Sequence, residues 1–197
     1  MIHDSDAEAD TGDYGLRLGA YGWQHQHWLN SFYPGDCPQD WRLGFYANEF
    51  TAVMVPADYW LNDYDVEQWC EALSARFRFY LEYPPSVDVR EFVRGCLDFG
   101  VFLGGVISDV DLDIDLPCPV YVLPDTQQPV RLLQAAGRYS PTLALVELGD
   151  ADLRQQRNWL DNLHLQSDDM AAILLTDKRL AIEKLQSFKT LIELMGF

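Results

Sequence analysis

Short apolar runs alternate with segments of helical period along most of the chain. Residues 16–22 (LRLGAYG) read as a first strand, and the broad stripe of Trp41, Leu43, Phe45, Tyr46, Ala47 and Phe50 predicts a helix over 37–50. Residues 51–56 (TAVMVP) are short and β-branched, a second strand. Trp69, Cys70 and Leu73 mark one side of a helix over 66–75, with Asp65 as its N-cap. Residues 77–83 (FRFYLEY) form a third strand, ended by Pro84 and Pro85, which have no N–H to give to a ladder. A helix follows over 89–97. Residues 101–108 (VFLGGVIS) fit either a strand or a glycine-rich extension of that helix. Then come a strand at 120–123, a helix at 127–136, a strand at 142–148, a helix at 151–163 and a strand at 170–176. A strongly amphipathic helix over 178–195 closes the chain, with Asp177 fitting its N-cap.

Strands that are apolar on both faces and alternate with helices point to an α/β fold, a parallel sheet covered by helices. Six secure strands and one doubtful one leave two solutions open, an open doubly wound sheet or a barrel. The chain has 197 residues. A full eight-fold barrel usually takes ~200–250, so a barrel here is expected to be incomplete or open, with six or seven strands. Residues 15–197 read as a single domain. Residues 1–14 read as a disordered acidic tail: MIHDSDAEADTGD carries five acids and no Lys or Arg, unlike a secretory signal.

Charge narrows the range of partners. Thirty-one acidic against fourteen basic residues leave a net charge of −17, which repels phosphate backbones and anionic membranes alike. No apolar run reaches the ~18 residues a membrane span needs. The four cysteines, Cys37, Cys70, Cys96 and Cys118, form no C-x-x-C pair. They are expected to be reduced and buried in a cytoplasmic protein. The glycine fingerprints of dinucleotide and nucleoside triphosphate sites and the G-x-S-x-G elbow are absent.

Three groups of residues carry candidate chemistry. His25 and His27 lie on one face if extended and follow the first strand, where parallel α/β folds build sites. Packed aromatics with hydrogen-bonded imidazoles compete with an acid–base or ligand role. Asp58, Glu82, Asp125, Glu147 and Asp177 stand at or just past strand ends, so parallel strands bring them toward one rim. With the histidines, such acids have the donor set for a divalent metal that activates water. Asp109, Asp111, Asp113 and Asp115 alternate in DVDLDID. A calcium loop needs glycine at its sixth position and glutamate at its twelfth, where this chain has Ile114 and Val120. A solvated edge or loop accounts better for that run.

One stretch is distinctive in its aromatic spacing. Gly22, Trp23, Trp28, Phe32, Tyr33, Pro34, Leu43, Tyr46, Phe50 and Val53 resemble the opening of the YecE-like family of uncharacterised barrel proteins. Residues 116–125, 144–148 and 173–177 resemble that family's fourth, fifth and sixth strand segments. The resemblance implies a TIM-barrel-like (β/α) repeat, with about two strands of family sequence missing after Asp177. It also implies a rim of carboxylate, amide and two cations. This chain departs there: Met54 and Pro56 replace a Glu and an Asn, Glu82 replaces a Lys, and Gly149 replaces the Arg that follows Glu147. Losing both cations removes charge-assisted hydrogen bonds of ~1.5–3 kcal/mol each to an anion.

The expected function is therefore a diverged, non-catalytic barrel that binds a small polar ligand or a protein partner, including a second copy, without a cofactor. Trp23, Trp28, Tyr59, Trp60 and Glu82 are its candidate ligand-binding residues. The alternative is a metal-assisted hydrolase or isomerase. Its catalytic candidates are His25, His27 and Glu147, and its metal candidates are His25, His27, Glu82, Glu147 and Asp177. A third reading places Glu147 as acid/base and Trp23 against a sugar ring.

Overall fold

The computed structural model describes residues 16–59, 65–71, 73–112, 114–135, 141–167 and 169–197. The proposed tail at 1–14 and Trp60 lie outside them. Strands β1 (Arg17–Tyr21), β2 (Ala52–Val55), β3 (Arg78–Glu82), β4 (Leu103–Ser108) and β5 (Val120–Val122) are successive parallel neighbours. On its other side β1 pairs in parallel with β8 (Met170–Leu175), and β8 with β7 (Thr142–Val146). β6 (Val130–Gln134) completes the order β5-β4-β3-β2-β1-β8-β7-β6, antiparallel to β7. β5 and β6 lie side by side without a ladder. The result is an α/β, TIM-barrel-like sheet, nearly closed, with one unsealed seam.

The expected count of six or seven strands is corrected to eight among the described residues. Residues 103–108 resolve their ambiguity as a strand, because Gly104 and Gly105 lie against the rings of Tyr80 and Tyr121, where a Cβ would collide. The helix expected over 127–136 is instead β6. Five residues of VRLLQ satisfy either period, and only pairing with β7 decides between them. Residues 144–148 and 173–177 thus overlap the seventh and eighth strands, and no pair of strands is missing after Asp177.

Helices α1 (Arg42–Glu49), α2 (Val66–Glu71), α3 (Val89–Asp98), α4 (Leu153–Gln166) and α5 (Ile182–Met195) follow from local signals. Asp65 caps α2 through the Gln68 N–H at 3.0 Å. Asp88 caps α3, and Asp152 with Gln155 makes a reciprocal capping box on α4. Gly196, at φ 79°, ends α5 in the left-handed conformation.

Period-2 alternation divides the strand side chains between two cores. Ala52, Met54, Tyr80, Ile107, Tyr121, Leu143, Leu145, Ala172 and Leu174 fill the barrel interior. Leu18, Ala20, Val53, Val55, Phe79, Leu81, Val106, Ala144, Val146, Ile173 and Leu175 face the outer layer. On the β1–β3 side that layer is aromatic. Tyr46 of α1 accepts a hydrogen bond from the Ala20 N–H at 2.8 Å and donates one to the Ala52 carbonyl at 2.9 Å, tying β1 to β2. Gly19 permits this close approach: a Cβ there would lie 2.1 Å from the Ala52 oxygen.

The alternating aspartates lie in the β4–β5 connection, which has no helix. Leu112, Ile114 and Leu116 pack on the outer core while Asp109, Asp111 and Asp115 face solvent. The alternation builds a covering loop. No helix among the described residues is long and apolar enough to cross a membrane.

Candidate functional site

The C-terminal ends of β1–β5 and the loop after β8 enclose a cavity of about 660 Å³. This end of a (β/α) barrel is where loops normally assemble sites. Met54, Ile107 and Leu123 supply its apolar lining, and Tyr21, His25, Asp58, Tyr59, Glu82, Asp109 and Lys178 its polar groups.

Glu82 is the best-fixed of these groups. It is half-buried at the end of β3. The Tyr21 hydroxyl donates to its Oε2 at 2.7 Å, and the Ala57 N–H donates to the same oxygen at 2.9 Å. Ala57 opens a single 3₁₀ turn, Ala57–Tyr59, that follows β2 through Pro56. Burial, and then the bond to Glu82, push the Tyr21 phenol above its usual range, so it stays a donor. The Lys178 ammonium stands 5.8 Å from the centre of the Tyr21 ring, on its face. Glu82 and Lys178 therefore flank one phenol.

His25 Nε2 lies 2.9 Å from the Tyr21 carbonyl, which requires the proton on that nitrogen. Burial holds its pKa below the ordinary value, with the neighbouring His27 acting in the same direction and the Tyr21 carbonyl opposing both. Tyr59, also raised by burial, is hydrogen-bonded to the Gln24 backbone.

The other sequence candidates go elsewhere. Trp23 and Trp28 are 1% and 0% exposed, in the core rather than on a cleft wall. Trp23 packs edge-on against Tyr59, Trp69 and Phe79. The indole of Trp28 donates to the Leu180 carbonyl at 2.8 Å. These rings were singled out for their size, but that size is what the outer core consumes. His27 is exposed and meets the same Leu180 carbonyl at 2.8 Å through Nε2.

Glu147 is exposed and lies outside the cavity. Asp177 does not cap α5, whose N-cap is Ala181. It accepts from the Leu148 and Gly149 N–H groups, both at 2.8 Å, and so ties the loop after β7 to the end of β8. Of the five metal candidates, then, His25 and Glu82 share the cavity and the rest do not. Among the described residues no three His, Cys, Asp or Glu are placed to hold an ion.

The aromatic opening and this rim now have a counterpart. Residues 17–89 match the family model described as "Protein of unknown function DUF72". That segment holds β1 to β3, the Tyr46 tie and the Tyr21–Glu82 pair. A crystal structure of a DUF72 family protein from Thermotoga maritima superposes with a TM-score of 0.61 at 12% sequence identity. The match covers 90% of this chain and 99% of that one. At that identity the likeness speaks for the fold alone. No curated protein sequence matches the chain.

Sequence reasoning missed two cavity residues that carried a signal. Tyr21 alternates with Gly19 at the end of β1, which directs both to the interior. Lys178 directly follows the rim position Asp177.

Proposed function

We propose that the chain is a small-molecule binding module, a divergent YecE-like barrel whose ligand seats in the mouth cavity against Glu82. The hydrogen bonding of Glu82 carries this reading. Two donors fix Oε2 in place, and Oε1 has no partner among the described residues. A preorganised acceptor in a cavity of this size orients a ligand at little entropic cost. Asp58 and Asp109 add further acceptors to the same lining. The fitting ligand is a small polar molecule that presents hydrogen-bond donors, either hydroxyls or an ammonium group.

The test is titration calorimetry and thermal shift on the purified chain with a panel of monosaccharides and short primary amines. A bound probe raises the melting temperature. Glu82→Gln keeps the shape and removes the charge, and should weaken binding about tenfold, the value of one charge-assisted hydrogen bond. The reading fails if no probe binds the wild type at millimolar concentration, or if Glu82→Gln binds as the wild type does.

A further inference from the structure

Two imidazoles stand side by side just after β1. His25 precedes a single 3₁₀ turn, Gln26–Trp28, and His27 lies within it. Their ring centres are 5.1 Å apart. Each ring is tethered through Nε2 to a backbone carbonyl, His25 to that of Tyr21 at 2.9 Å and His27 to that of Leu180 at 2.8 Å. A carbonyl only accepts, so both Nε2 atoms carry the proton and both Nδ1 atoms keep a lone pair. Neither Nδ1 has a partner among the described residues. The buried Trp28 ring packs on both, its centre 4.5 Å from that of His25 and 6.2 Å from that of His27. Burial lowers the pKa of His25, and His27 adds to this, so the ring is neutral at pH 7.

We propose that His25 and His27 hold one divalent transition-metal ion of the zinc type through their Nδ1 atoms, with water in the remaining positions. Two imidazoles on one tetrahedral ion, each nitrogen about 2.0–2.1 Å from it, have ring centres about 5 Å apart. The pair has that spacing. An N–H given to a backbone carbonyl is also how metal-ligating histidines are ordinarily oriented, and the neutral ring is the form that ligates. Both tethers end on structured backbone, at the last residue of β1 and in the loop after β8, so the rings are fixed before an ion arrives. No third His, Cys, Asp or Glu joins them among the described residues, which leaves the other positions to water. His25 lines the mouth cavity and His27 is exposed, so the ion sits at the cavity's edge, open to solvent. This site is separate from the ligand role of Glu82, and either can fail without the other.

The experiment titrates the purified chain with zinc chloride and, separately, with magnesium chloride, by calorimetry and thermal shift. The chain carries His3→Gln, so that the histidine outside the described residues takes no part. One zinc ion should bind per chain and raise the melting temperature, whereas magnesium, which prefers oxygen ligands, should not. His25→Gln and His27→Gln should each weaken zinc at least about tenfold, since even losing the hydrogen-bond partner of a ligand costs that much. The double variant should lose little more than either single one, because both rings serve one ion. His164→Gln, at the far end of α4, should bind as its parent does. Circular dichroism melting without metal establishes that each variant folds. A further measurement needs no substitution at the pair: the ring-proton resonances of His25 and His27 should shift together as zinc is added. The proposal is overturned if no zinc binds at millimolar concentration, or if binding survives in both single variants. Two ions in the parent that fall to one in each variant overturn it as well, as does a shift of one ring without the other.

Discussion

Across β1, β2 and β3 the strands are held from outside by rings, with the tips of Trp28, Tyr33 and Tyr46 hydrogen-bonded, whereas among the described residues the connections on either side of β5 carry no helix. On the first side Trp28 stacks on Tyr46 at 6.2 Å, and the Tyr33 hydroxyl donates to the Trp23 carbonyl at 2.7 Å. On the second side β5 has three residues, no helix intervenes before or after it, and the last ladder is missing. Closure of a barrel thus does not require uniform strength around the ring. One side is packed with aromatic rings, and the other carries the shortest strand, β5, and the seam. The mouth cavity draws its fixed groups, Tyr21, Ala57 and Glu82, from the strong side. Arg131 of β6, at the seam, donates to Thr176 Oγ1 at 3.4 Å and has a buried Nε without a partner among the described residues.

Substitutions bear on this contrast in graded fashion. Trp28→Ala should cost the most, about 3–5 kcal/mol by urea denaturation, because it opens a large cavity in a fully buried cluster. A loss under ~1 kcal/mol would mean the aromatic side is not what holds β1 and β2. Tyr46→Phe keeps the ring and removes only the hydroxyl. It strands the Ala20 N–H and the Ala52 carbonyl and should cost about 1–3 kcal/mol in the same assay. Val122→Ala, at a β5 position 39% exposed, should cost less than ~1 kcal/mol. Amides of β5 and β6 should also exchange with solvent faster than those of β1 and β2. Equal protection on both sides would erase the contrast.

The smallest expected effect is one of pH. His25 has a pKa lowered by burial, so the unfolded chain binds its proton more readily than the folded one. The sign follows: stability from neutral His25 is full above the unfolded value of about 6.5 and is lost as pH falls below it, toward the lower folded value. His25→Gln should flatten the fall in melting temperature between about pH 7.5 and pH 5. A His25→Gln curve parallel to the wild type would place the pH response elsewhere.

Much of the architecture was legible in sequence, and the reason is local. Residues 51–56, 77–83 and 170–176 are apolar on both faces, so they read as buried parallel strands without reference to anything distant. Asp65 before α2 announced its cap in the same local way. Residues 127–136 failed because a five-residue amphipathic strand and a helical turn share a pattern, and β7, twelve or so residues on, makes the choice. The rim failed differently. Strand-end position predicted which acids approach one end of the barrel, and Glu82 arrived there. Asp177 did too, but two backbone N–H groups of the neighbouring loop claimed it.

The sequence by itself determined the strand–helix alternation, the aromatic opening and the acidic balance, since these depend on composition and on spacings of a few residues. Only the tertiary structure decided which aromatic rings were spent on the core, that β6 is a strand, and that Tyr21 and Glu82 meet. Those outcomes turn on contacts between residues far apart in the chain: Tyr21 and Glu82 are separated by 61 positions and Arg131 and Thr176 by 45. A side chain's periodicity says which face it occupies, but only the closed sheet says what stands opposite that face.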